Sequence, residues 1–150
     1  ERRRDSNGHT HTTTYTIFHG LFGKIVMDKS INTKFKIGLN HTFSFSKNRV
    51  EMDSAEFEKY FDISSEDKIK AMQILTHDIM MDLIEFQDKV KIKFDIIVNN
   101  NIMYIRFHCG SMFEASSFKN GAFDKETIKK YYDILDFIYS SSLSNLGFIV

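Results

Sequence analysis

Between residues 90 and 107 the chain alternates apolar and polar side chains. Val90, Ile92, Phe94 and Ile96 interleave with Lys91, Lys93 and Asp95, and after Asn99-Asn100-Asn101 the run Ile102-Met103-Tyr104-Ile105-Arg106-Phe107 follows. Side chains two apart share a face of a strand, so this pattern predicts a β-hairpin with one buried face. Gly110 ends it, and residues 111–121 read as a loop. The first third is also β-like: a Thr- and aromatic-rich run from His9 to His19, a second from Phe22 to Asp28, then Thr33 to Ile37 and His41 to Ser46. In the last two, Phe35 pairs with Ile37 on one face and Phe43 with Phe45. Gly20 and Gly23 beside the second run point to a bulge or a close backbone approach.

The middle changes period. Asp53 with Glu56 three residues on has the spacing of a capping box and predicts a short helix through Phe57, Tyr60 and Phe61. From Ser64 or Ser65, the residues Ile69, Met72, Leu75, Ile79, Leu83 and Phe86 recur at spacings of three and four, which is one apolar helical stripe. Thr76, with Asp78 after it, can divide this stretch into two helices with a bend. A last helix is expected after Asp124, with Phe123 and Ile128 as a hydrophobic staple and a buried stripe of Ile128, Tyr131, Leu135 and Ile138. The apolar tail, residues 147–150, can return as a strand. The fold class predicted is α+β, a mostly antiparallel sheet with three or four helices packed on one face.

At 150 residues the chain has the length of one domain, enough to bury roughly 70% of the surface of its unfolded form. With 15 Phe, 6 Tyr and no Trp, the core is built from phenyl rings. No apolar run reaches the ~20 residues of a membrane-spanning helix, so the segment reads as soluble. Cys109 has no second cysteine to pair with, which favours a reducing compartment. Ser6-Asn7-Gly8 is hairpin-turn chemistry preceded by only five residues and no Met, so a fragment that begins partway through a strand is expected.

Net charge is zero but uneven. Residues 1–50 hold 9 Lys+Arg against 3 Asp+Glu, and the remainder 11 against 17. Folding together would intermix the two halves; failing that, a basic docking face results. Nucleic-acid binding is not expected, because the chain is not net basic and has no dense Lys/Arg stripe.

Candidate chemistry is sparse. His9 and His11, two apart on a strand, are weak metal candidates with no third ligand specified. His77-Asp78 falls in a helix first turn, where polar residues serve the helix itself. His108 and Cys109 are neighbours that a strand turns to opposite faces. Glycine-rich phosphate loops and the common hydrolase and zinc motifs are missing, and no cofactor is expected. Met80, Met81 and Phe118 fall off the apolar stripes and could line a partner groove or ligand pocket. Arg2, Arg3 and Arg4 could contact anionic lipid.

The stretches Tyr15-Thr16-Ile17-Phe18-His19-Gly20-Leu21-Phe22, Glu56 to Ile63 leading through Ser64-Ser65 to Ala71 and Leu75-Thr76, and Met112-Phe113-Glu114 with Phe118 resemble, in their order, a bacterial family of unknown function, DUF3137. The resemblance implies a membrane-anchored parent protein whose spanning segments precede this region, with the domain on the cytoplasmic side. It implies no activity and no catalytic residues. The chain departs from that family where proline is expected, with His77 after Thr76 and Ala115 after Glu114. The leading expectation is a non-enzymatic binding or scaffolding domain that docks a protein partner or an anionic lipid surface. The alternative is a metal- or thiol-dependent enzyme using some of His9, His11, His77, His108 and Cys109, which requires those side chains to converge.

Overall fold

A computed structural model describes residues 2–4, 8, 10–27, 30–40, 47–110 and 125–140. Its centre is a six-stranded sheet in which every neighbouring pair is antiparallel. In chain order the strands are β3 (Leu21–Val26), β4 (Lys34–Leu39), β5 (Arg49–Val50), β6 (Phe61–Ser65), β7 (Phe94–Asn99) and β8 (Ile102–Phe107), arranged β3-β8-β7-β4-β6-β5. A separate two-stranded sheet pairs β1 (Arg2–Arg4) with β2 (Thr10–Thr12). The helices are α1 (Phe57–Tyr60), α2 (Lys68–Ile74), α3 (His77–Val90) and α4 (Lys125–Ser140). The fold is α+β.

Register assigns the two faces. Phe107, Ile105 and Met103 of β8 stand opposite Phe94, Ile96 and Val98 of β7; Ile37 and Phe35 of β4 continue these rows, and Ile63 of β6 continues the Ile37 row. All of these are buried in one cluster with Ala71, Leu75, Ile79, Leu83 and Phe86 from α2, α3 and the link between them, and with Ile134 and Phe137 from α4. This is the helix-covered face. Its centre is a run of rings, Phe61, Phe94, Phe107 and Phe86, with Phe86 and Phe137 stacked at 3.7 Å and 10°. The stack joins α3 to α4.

Several expectations are corrected. Residues 61–65 form a strand, not part of a helix: Phe61, Ile63 and Ser65 are buried at period two and pair with Leu39, Ile37 and Phe35. The cap before α1 also differs. The Ser54 hydroxyl accepts from the Phe57 N–H at 3.2 Å and the Glu58 carboxylate from the Met52 N–H at 2.8 Å. The next helix starts at Lys68, where Asp67 caps the Lys70 N–H at 3.0 Å. That start leaves Ile69 71% exposed and Met72 at the surface, so the apolar stripe begins only at Leu75. The break at Thr76 is present, and α3 runs on to Val90 before Lys91 turns left-handed at φ 51°.

In α4 the buried positions are Ile134 and Phe137, while Ile128 and Leu135 are half exposed. Both stripes are apolar, and the Phe137 stack on Phe86 selects between them. In the β1–β2 pair Arg4 lies opposite Thr10 and Gly8 holds φ 81°, while Ser6 and Asn7 of the expected turn lie outside the described residues. Gly20 is a close approach, since a Cβ there would lie 1.9 Å from the Phe107 carbonyl oxygen, whereas Gly23 has room and β3 has no bulge. The expected strand at 41–46, loop at 111–121, cap and staple at 123–124 and tail strand at 147–150 lie outside the described residues.

Candidate functional site: the open sheet face and the pocket at its end

The residues that alternate with the buried rows point away from the helices. Across the sheet, Phe22 lies opposite Arg106 and Arg106 opposite Asp95; Lys24 opposite Tyr104, Tyr104 opposite Ile97 and Ile97 opposite Lys36. Val26, Ile102, Asn99 and Lys34 make the next row. Phe22 and Val26 are 54% and 59% exposed, and Lys24 and Lys34 are also exposed. The Phe22 ring stacks on Tyr104 at 5.8 Å. None of Lys24, Lys34 and Lys36 is ion-paired with a described residue. The two acids within the described strands of this face are engaged, Asp62 with Arg49 at 3.2 Å and Asp95 as described below; Glu66, just past β6, lies beside Lys34.

On the helical side, Asp82, Glu85 and Lys89 of α3 and Asp133 and Asp136 of α4 border a 190 Å³ pocket. There Lys89 donates to Asp133 at 3.0 Å, and that hydrogen bond raises the ammonium pKa above its ordinary value. The two halves of the sequence meet in the sheet, where strands β6, β7 and β8 pair with β3, β4 and β5, and Arg49 pairs with Asp62 at 3.2 Å.

At the end of the open face where β7 begins and β8 finishes, a pocket of about 560 Å³ is lined by Leu39, Asn40, Lys93, Phe94, Asp95, Arg106 and His108. The Asp95 carboxylate is its fulcrum. One oxygen accepts from Arg106 Nε at 2.9 Å and also from a terminal guanidinium nitrogen; the other meets His108 Nε2 at 2.8 Å. Phe18 meets the His108 ring edge-on at 5.4 Å and 82°. The His108 N–H donates to the Lys93 carbonyl at 2.7 Å, which carries the β7–β8 ladder one rung past the strands and brings Lys93 and His108 to the same face as Asp95 and Arg106. The thiol of Cys109 turns the other way, to the Phe107 carbonyl at 3.4 Å and the core.

The other candidates do not gather there. His77, at the start of α3, lines a separate pocket of about 380 Å³ with Met52, Met72 and Met80. Met80 is also part of the core, while Met81 faces outward, so the two methionines share no groove. Arg2, Arg3, Arg4 and His11 are paired through β1 and β2, and their side chains, like all of His9 and Phe118, lie outside the described residues. Among the described residues no group of three His, Cys, Asp or Glu is placed to hold a metal ion, and no helix is long and apolar enough to cross a membrane. Asp95, Arg106 and Lys93 were missed in the sequence reading. A two-residue turn at Asn100-Asn101 would have brought Asp95 opposite Arg106.

The family model described as a protein of unknown function, DUF3137, matches residues 16–140. The chain belongs to the DUF3137 family. The DUF3137 match begins before β3 and ends with α4, so it includes the open face and the pocket and leaves out β1 and β2. No curated protein and no solved structure matches the chain.

Proposed function

We propose that this DUF3137 chain is a non-enzymatic binding domain of a membrane-anchored bacterial protein, and that its open sheet face docks on anionic lipid headgroups. The observation that carries the reading is the combination of three lysines without ion-pair partners among the described residues and two protruding apolar side chains, Phe22 and Val26, on the sheet face turned away from the described helices. Lys24 and Lys36 are three strand spacings apart, roughly 14 Å, so the charges spread over a surface and do not converge on a point. Headgroups attract such lysines, and the ring of Phe22 inserts beside them. The helix-covered face would then point away from the bilayer. An unpaired thiol at Cys109 accords with a cytoplasmic location.

Each lysine near an anionic bilayer contributes about 1 kcal/mol, so changing Lys24, Lys34 and Lys36 to Gln should weaken partitioning by about a hundredfold. Co-sedimentation with phosphatidylcholine vesicles, with and without phosphatidylglycerol, measures this. Binding should require the anionic lipid, fall with salt and be lost in the triple variant. Binding unchanged by the three substitutions, or no binding to anionic vesicles at all, contradicts the reading; in the latter case an acidic protein partner becomes the better account of the same face.

A further inference from the structure

We propose that the pocket formed by Lys93, Asp95, Arg106 and His108 is a phosphate site, taking inorganic phosphate or a phosphomonoester. It is separate from the lysine rows of the open face and goes beyond the docking reading.

Three side chains reach this pocket from different positions, and two of them, Arg106 and His108, are held by Asp95. Arg106 uses Nε and one terminal nitrogen on a single oxygen of Asp95, which leaves its other terminal nitrogen with no partner among the described residues, on a side chain 39% exposed. The Nε side of the guanidinium is taken by Asp95, and its far edge, with one N–H on each terminal nitrogen, can still clasp a second oxyanion through two parallel bonds. Lys93 is exposed and has no ion pair among the described residues, so it supplies a second, mobile cation. His108 is fixed through Nε2 to Asp95 and by Phe18, which leaves Nδ1 for a ligand.

The histidine distinguishes among oxyanions. With the proton of the neutral ring on Nε2, facing the carboxylate, Nδ1 is an acceptor. A phosphate monoanion or a singly protonated phosphomonoester carries a P–OH that donates to it, whereas sulfate at neutral pH has no proton to give. Asp95 does not repel the ligand as a free carboxylate would, because both oxygens are taken by Arg106 and His108. With His108 neutral, Lys93 and Arg106 against Asp95 leave the site one positive charge in excess. Leu39 and Phe94 furnish an apolar wall. The pocket volume of about 560 Å³ exceeds a phosphate ion and lies in the range of small-ligand sites, which leaves space for an organic group on the ester oxygen.

The test is titration of the whole chain with inorganic phosphate and, at equal ionic strength, with sulfate, followed through the His108 ring signals by NMR. Phosphate should shift them saturably, with sulfate about tenfold weaker. Lys93→Gln removes a cation that has no structural partner, so it should weaken phosphate about tenfold without lowering the melting temperature. Arg106→Gln should weaken it further, and Lys93→Gln keeps the test valid if that variant unfolds. A response that does not saturate, equal response to the two anions, or unchanged phosphate binding in Lys93→Gln overturns the proposal. Vesicles of phosphatidylcholine with phosphatidic acid identify the source: Lys93-dependent binding points to a lipid headgroup, and phosphate binding without it points to a soluble phosphate. The triple variant at Lys24, Lys34 and Lys36 should keep its phosphate response, so failure of either reading is seen separately.

Discussion

Replacing His77 by proline should stabilise the protein. His77 is the first residue of α3, and its N–H is one of the donors that a helix cannot satisfy internally. The first bond of the helix that leaves Thr76 runs from the Met80 N–H to the Thr76 carbonyl at 3.0 Å, and no hydrogen bond from the His77 N–H is found among the described residues. Proline at this position costs no bond, and its ring fixes the φ that a helix requires. Proline also constrains the residue before it, but Thr76 already holds φ −63° and ψ 164°, inside the extended region that a following proline imposes. The imidazole is exposed, so its loss removes little packing. What is left is the reduced freedom of the unfolded chain, about 0.4–1 kcal/mol, which for a chain of this length raises the melting temperature by roughly 1–4 °C. The control is Met81→Pro, inside the same helix, which should cost about 3 kcal/mol or more. Scanning calorimetry or urea unfolding of both variants measures the difference. Destabilisation of 1 kcal/mol or more by His77→Pro would refute the assignment of Thr76 as the cap and of His77 as the first helical residue.

Two further outcomes follow from local geometry. Gly20→Ala forces a Cβ against the Phe107 carbonyl and should cost about 1–3 kcal/mol, whereas Gly23→Ala, 3.9 Å from the Ile105 carbonyl, should cost much less; paired urea titrations separate them. Burial, with a smaller contribution from Cys109, raises the Tyr131 pKa above 10.0. The folded state thus holds this proton more tightly than the unfolded one, so the stabilisation is complete below pH 10 and is lost as pH rises through the folded pKa. Tyr131→Phe should flatten that alkaline loss in stability curves measured from pH 9 to 12.

The fold class, the β7–β8 hairpin and the break between α2 and α3 could be read from the chain, because each rests on a local pattern: alternation, turn residues or a cap. The strand β6 could not. Phe57, Tyr60 and Phe61 have helical spacing, and Asp62, Ser64 and Ser65 lack the β-branched character of a strand. What makes residues 61–65 a strand is pairing with β4 and β5, contacts that are distant in sequence. The stripe of α4 was displaced for a related reason. Apolar residues occupy more than one side of that helix, and the buried side is chosen by Phe86 on another element. At the pocket, His108 was noticed for its neighbour Cys109, which faces the other way. Its actual partners are one strand across, where register and not adjacency determines contact.

The most direct test of docking through the open face uses the absence of tryptophan from the chain. Phe22→Trp introduces one indole on that face, and Tyr132→Trp introduces one on the exposed side of α4. Both are titrated with anionic vesicles containing brominated lipid, which quenches indole within the bilayer. The account predicts strong quenching and a blue shift at position 22 and little change at position 132. Equal quenching at the two positions, or quenching at 132 alone, would contradict it.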